Sequence, residues 1–214
     1  MKKRVAVLVS GGGTNLQALI DASSRGELQN AEIVAVISSS SKAYALERAA
    51  NANIPTWVIA KKDWPDREAF TEEYRKTLHE IGVDIVVLAG FLYIFTASIF
   101  EEFPWVINVH PALIPAFCGD GFYGIHVHEK VLEAGVKVTG ATVHLVTKEV
   151  DAGPILLQKA VEISPDDTPE SLQKKVMQEC EWKLLPKAVS LVAQDRVQVL
   201  DAKHTRIVEC GEGE

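Results

Sequence analysis

Cysteine, clustered positive charge and long apolar runs are what this sequence has least of. Its three cysteines, Cys118, Cys180 and Cys210, are odd in number, widely spaced and outside any C-x-x-C pattern. That argues against a disulfide framework or a zinc knuckle and fits a reducing, cytoplasmic setting. Lys and Arg number 22 against 29 acidic residues, a net charge of -7. With no basic stripe, no nucleic-acid partner is expected, although local sites for small anions stay open. No apolar run approaches the ~20 residues that span a bilayer, so no membrane partner is expected either. The opening "MKKRVAVLVS" holds only a short apolar run that leads into a glycine turn rather than a cleavage site, and is expected to be a first strand. Internal repeats and low-complexity linkers are also missing. With 47% hydrophobic residues over 214 positions, one domain over 1–214 can bury a substantial core.

What is present alternates. The β-branched runs "RVAVLVS", "EIVAVIS", "TWVIA", "DIVVLAG" and "WVINV" are separated by the helical stretches "TNLQALIDASSRG", "AYALERAANAN" and "DREAFTEEYRKTLHEIG". Strands so continuously apolar are covered on both faces, which predicts an α/β fold: a doubly wound, mostly parallel sheet with helices on both faces. After Pro111 the texture changes to a Gly-rich loop, a short helix near "HVHEKVLEAG", strands "KVTGATVHLV" and "ILLQKAVEI", and a long helix from about Thr168. Strands of mixed direction are expected in this C-terminal half, and a small hairpin in the tail "VQVLDAKHTRIVECGEGE".

Four features could carry chemistry. "SGGGTN", Ser10 to Asn15, follows the first strand and precedes a helix that Thr14 and Gln17 are placed to cap as a capping box. Glycines there let backbone amides approach an anion at a positive helix end. The dinucleotide fingerprint fails, since Leu16 stands at the third glycine position and no acidic residue ends the second strand; a Walker A ending is missing too. A single-phosphate cradle and a plain tight turn both remain. In "INVHPALIPAF", Asn108 and His110 lie two apart, so they share one face at the carboxyl end of a fifth parallel strand, where open α/β sheets place ligands. Pro111 stops the ladder. An imidazole there can act as acid or base, and an amide N–H can donate to a developing oxyanion. Asp151, in "TKEVDAGPI", is either ordinary turn chemistry or, if the turn folds over the strand ends, a carboxylate beside His110 that raises its pKa. "GDGFYG", Gly119 to Gly124, is a lid or a surface excursion. His126 and His128 have the spacing of a metal pair but no third partner, and read as a solvated helix start.

Together, "SGGGTNLQALI", "VVLAGFLYIF", "INVHPALIPAF", "GATVHLV" and "VDAGPILLQ", in this order and spacing from about Lys3 to Pro186, resemble the phosphoribosylglycinamide formyltransferases of the folate-dependent formyltransferase superfamily. The resemblance implies transfer of a formyl group from the co-substrate 10-formyltetrahydrofolate to the amine of glycinamide ribonucleotide in purine biosynthesis. It implies Asn108, His110 and Asp151 as the catalytic set, with protonated His110 and no metal. Gly13, Thr14, Asn15 and Glu181 would hold the nucleotide, in a half spanning 1–110 completed by Glu181. Arg67, Leu92, Tyr93, Ile94, Phe95 and the loop Thr147, Lys148, Glu149, Val150 and Asp151 would hold the folate beside Asn108, mostly in the half spanning 111–214. The partners implied are small molecules, in a monomer or homodimer. Formyltetrahydrofolate hydrolases and sugar-nucleotide formyltransferases share the triad, but the hydrolases and the formyltransferases that act on initiator tRNA carry an extra domain for which this length leaves no room. A noncatalytic phosphate-binding module is the remaining alternative. The chain departs from the pattern at Tyr93, where some members have arginine, at Trp182, where histidine is frequent, and in the longer "CGDGFYG" loop.

Overall fold

The structure, a computed structural model, describes residues 1–209; Cys210 and the last residues of the tail lie outside them. A seven-stranded sheet has the order β3-β2-β1-β4-β5-β6-β7. The strands are β1 (Lys3–Val9), β2 (Ala31–Ser38), β3 (Thr56–Val58), β4 (Ile85–Leu88), β5 (Val106–His110), β6 (Val138–Leu145) and β7 (Ile155–Glu162). β1 to β5 pair in parallel, whereas β6 runs antiparallel to β5 and β7 antiparallel to β6. The expected fold class is thus observed, including the change of direction after β5.

Helices α1 (Thr14–Ser24), α2 (Ala45–Asn51), α3 (Arg67–Ile81), α4 (Ser98–Glu102), α5 (Ile125–Glu133), α6 (Pro169–Val176) and α7 (Trp182–Ala193) cover the sheet. Alternation along β1 divides the core. Val5, Val7 and Val9 pack with α1 and α7 residues such as Leu16, Leu19 and Leu185, while Ala6 and Leu8 pack on the other face with Phe70, Tyr74 and Leu78 of α3. Burying each such Leu or Phe side chain contributes roughly 1.5–3 kcal/mol relative to exposure. The α3 terminus is set by Asp66, whose carboxylate accepts the Ala69 amide at 2.8 Å, a cap worth about 1 kcal/mol.

Two expectations change here. No capping box forms at α1: Gly13, in the left-handed region at φ 71°, is the cap and no side chain satisfies the first turn. Gln17 instead donates to Asp21. The long C-terminal helix is interrupted by a π-helical turn, Met177–Glu181, between α6 and α7. The extra residue per turn brings the consecutive Cys180 and Glu181 inward together. The tail does pair as a hairpin, β8 (Val197–Val199) with β9 (Thr205–Ile207). No helix among the described residues is long and apolar enough to cross a membrane.

Candidate functional site

β5 carries the centre of the site. Its parallel neighbour aligns Asn108 with Leu88, and its antiparallel neighbour aligns Asn108 with His144 and His110 with Thr142. The shared face therefore holds Asn108, His110, Thr142 and His144, while Ile107 and Val109 enter the apolar core. The chain leaving β5 is pinned by Thr142, whose hydroxyl donates to the Ala112 carbonyl at 2.7 Å and accepts the Ile114 amide at 3.1 Å. The Ile114–Pro115 peptide is cis.

Because β6 is antiparallel, the turn after it starts near the amino end of β5. It nevertheless folds back across the sheet, and Asp151 reaches both imidazoles: one carboxylate oxygen lies 3.6 Å from His110 Nδ1 and the other 3.6 Å from His144 Nε2. The Gly119 amide donates to Asp151 Oδ2 at 3.0 Å. This fold-back needs Gly153, where a Cβ would sit 1.9 Å from the Leu145 carbonyl oxygen. Asp151 itself adopts φ 51°, a region that Asp tolerates better than most residues.

His110 is 4% exposed, and its Nε2 lies 2.8 Å from the Phe117 carbonyl. A carbonyl only accepts, so Nε2 carries the hydrogen and Nδ1 is the nitrogen left to titrate. Burial lowers the His110 pKa more than Asp151 and the Phe117 carbonyl raise it, and His144 lowers it further. This corrects the expectation of an imidazole held protonated by Asp151: the carboxylate is present, but desolvation outweighs it. Burial would by itself raise Asp151, yet its contacts with His144, His110 and the Gly119 amide hold it below the usual carboxylate range. The pair at rest is neutral imidazole beside carboxylate. His144 Nδ1 lies 2.9 Å from the Leu145 carbonyl, and its Nε2 lies 3.2 Å from Asn108 Nδ2 and 3.6 Å from Asp151.

The four groups open on a cavity of about 620 Å³ that reaches Asn15, Met177 and Glu181 at one end and Leu92, Tyr93, Ile94, Thr147 and Val150 at the other. Leu92 and Ile94 are exposed to it, whereas Phe95 lines it as a buried member of an aromatic cluster with Phe70, Tyr74 and Phe91. Ser10 ties the two ends together: its amide donates to Gly90 and its hydroxyl accepts from the Leu92 amide. At the other end, buried Asn15 donates to buried Glu181 at 2.7 Å across 166 residues of sequence. Burial pushes the Glu181 carboxyl up to about 7 against the opposing effect of Asn15. Gly13 and Thr14 sit just outside the cavity lining, with Thr14 Oγ1 3.8 Å from Met177 Sδ. Arg67, Lys148 and Glu149 are exposed and outside the lining.

Sequence reasoning underused His144, which stood only as part of a quoted motif. A signal was there: polar Thr142 and His144 alternate with apolar Ala141, Val143 and Leu145, which puts them on one face of β6. His128 is a correction. Rather than a solvated helix start, it is fully buried, lines the cavity and has no hydrogen-bond partner at either nitrogen among the described residues; only His126 is solvated, paired with Glu129. The loop "CGDGFYG" also lines the cavity from Gly119 to Gly124. Its backbone just before and at its start, Phe117 and Gly119, holds His110 and Asp151, roles that side-chain motifs do not reveal.

Residues 3–189 match the formyl transferase family. The chain is 45% identical over 92% of its length to the trifunctional purine biosynthetic protein adenosine-3 of Bos taurus, and it spans about a fifth (19%) of that protein. It is 35% identical over 93% of its length to the phosphoribosylglycinamide formyltransferase of Haemophilus influenzae, of which it covers 91%. The crystal structure of glycinamide ribonucleotide transformylase 1 from Symbiobacterium toebii superposes with a TM-score of 0.90 at 38% identity, covering 97% of this chain and 95% of that one.

Proposed function

The chain belongs to the formyl transferase family, and from that premise we propose that it transfers the formyl group of 10-formyltetrahydrofolate to the amine of glycinamide ribonucleotide in purine biosynthesis. One observation carries the reading: Asn108, His110 and Asp151 converge at the middle of a single cavity. One end of that cavity has a buried amide–carboxylate pair next to a glycine loop, and the other has an apolar slot of exposed Leu92, Ile94 and Val150. The slot fits a flat heteroaromatic ring with backbone groups at its edge. The glycine loop before α1 fits a phosphate.

The amine attacks the formyl carbon on N10, and the carbonyl π pair moves to oxygen. Asn108 donates a hydrogen bond to that oxyanion, an interaction of a kind worth roughly 10²–10³ in rate. The attacking nitrogen must then lose a proton. Neutral His110 takes it at Nδ1, and the imidazolium is held between the Asp151 carboxylate and the Phe117 carbonyl. As the carbon–N10 bond breaks, the same proton passes to N10, so the ring ends as it began. His144 holds the Asn108 amide in place. No step needs a covalent adduct with the protein.

The test mixes the protein with both substrates and follows formyl-folate. Loss that depends on the nucleotide is expected. Formate release without the nucleotide would identify a hydrolase instead, and binding of phosphate ligands with no turnover would leave a noncatalytic module.

A further inference from the structure

The phosphate loop does not stand by itself; α2 carries it. The Ala45 amide donates to the Gly11 carbonyl at 3.1 Å. One turn later, Arg48 Nε donates to the Gly12 carbonyl at 2.8 Å and Arg48 Nη1 to the Gln17 side-chain oxygen at 3.0 Å. The guanidinium lies 5.0 Å from the Tyr44 ring centroid, which holds its plane. Contact is close enough that a Cβ on Gly13 would meet Ala45 Cβ at 2.6 Å.

Two successive carbonyls are thus turned toward α2. In a trans peptide the C=O and the following N–H point in opposite directions. Fixing the Gly11 and Gly12 carbonyls on α2 therefore aims the Gly12 and Gly13 amides away from it, and neither amide donates to a protein group among the described residues. Gln17, braced by the same guanidinium, sits in the first turn of α1, where its own amide closes onto the Gly13 carbonyl at 2.9 Å. One arginine thus orients both the loop and the helix start that follows it.

We propose that Arg48 is a positioning residue for nucleotide binding: its guanidinium sets the direction of the loop amides that receive the phosphate. The role rests on the reading of Gly11–Asn15 as the phosphate cradle. Arg48 is a specificity element for a phosphorylated acceptor, acting from behind the loop. Lysine supplies one donor where the fork supplies two, so Arg48→Lys should recover only part of the function.

Steady-state kinetics of the full chain separate the outcomes. In Arg48→Met the KM for glycinamide ribonucleotide should rise about tenfold, as for loss of a partly exposed charged hydrogen bond. kcat and the KM for formyl-folate should stay within twofold, and Arg48→Lys should fall between. Competitive inhibition by ribose 5-phosphate should weaken in parallel. Normal inhibition of the wild type by ribose 5-phosphate with an unchanged nucleotide KM in Arg48→Met overturns the role of Arg48 alone. A fall in kcat together with a similar rise in both KM values overturns it too, being the mark of general loosening. No inhibition of the wild type by ribose 5-phosphate overturns the cradle itself.

Discussion

At the scale of single residues, the site works by opposed environments for its ionisable groups. His110 is kept neutral by burial while Asp151 stays ionised through its contacts, so a base and its electrostatic support coexist at neutral pH. Replacing Asn108, His110 or Asp151 with Ala should lower kcat about 10²-fold or more while the melting temperature moves little, measured by steady-state assay and thermal scan. The kcat/KM profile should decline on its acid side below pH 6.5, as His110 protonates. In Asp151→Asn the acid limb should move to lower pH, because the carboxylate that favours the imidazolium is gone; an acid limb unmoved in that variant would remove His110 as the titrating base. Glu181 behaves in the opposite sense. Its carboxyl is raised from 4.5 to about 7, so the folded state binds more protons than the unfolded state between those values and stability is lost as pH rises through them. Glu181→Gln keeps an acceptor for Asn15 and should raise the melting temperature by roughly 3–6 °C at pH 8 and by about 1 °C or less at pH 4.5. The same variant should bind nucleotide more weakly.

At the scale of elements, the turn between β6 and β7 decides whether the site exists. Gly153 allows a close approach to Leu145 that no other residue permits, and the fold-back delivers Asp151. Gly153→Ala should cost about 2–4 kcal/mol through displaced backbone, seen in chemical denaturation, and should lower turnover through Asp151 even in the fraction that folds. Here the limits of the primary structure are visible in particular places. The strands β1, β2, β4 and β5 and the shared face of Asn108 and His110 were legible because period and turn chemistry are local. That Asp151 meets His110 was not, since a turn that begins at the far end of β5 reaches the imidazole only through tertiary fold-back. The same holds for the π turn that buries Glu181 and for the Phe117 carbonyl, a group every residue possesses. His128 was misjudged for a related reason: helix position does not reveal which side the neighbouring helix covers.

At the scale of the whole molecule, these groups give stability a particular dependence on acidity. Burial lowers the His128 pKa from 6.5 to about 4. Between those values the unfolded chain binds the extra proton, so stability is lost as pH falls through this window. Thermal scans from pH 7 to 4 should show a falling melting temperature, and His128→Leu, which removes the titrating group, should flatten much of the slope; an equally steep fall in that variant would assign the loss to other groups. Within the sheet, the parallel strands and the antiparallel flank meet at β5, so both halves must assemble before the cavity closes. Turnover is therefore a reporter of the completed sheet, not of either half.

The hold on His110 has one more consequence. Phe117 approaches the ring from the chain leaving the carboxyl end of β5, and Asp151 from a turn that sets out at its amino end, so each nitrogen is engaged by a different segment. An imidazole in solution spins about its Cβ–Cγ bond and exchanges its two edges freely. Here both edges are engaged, so in the proposed transfer proton uptake is expected to need hydrogen motion and bond formation but no ring rotation.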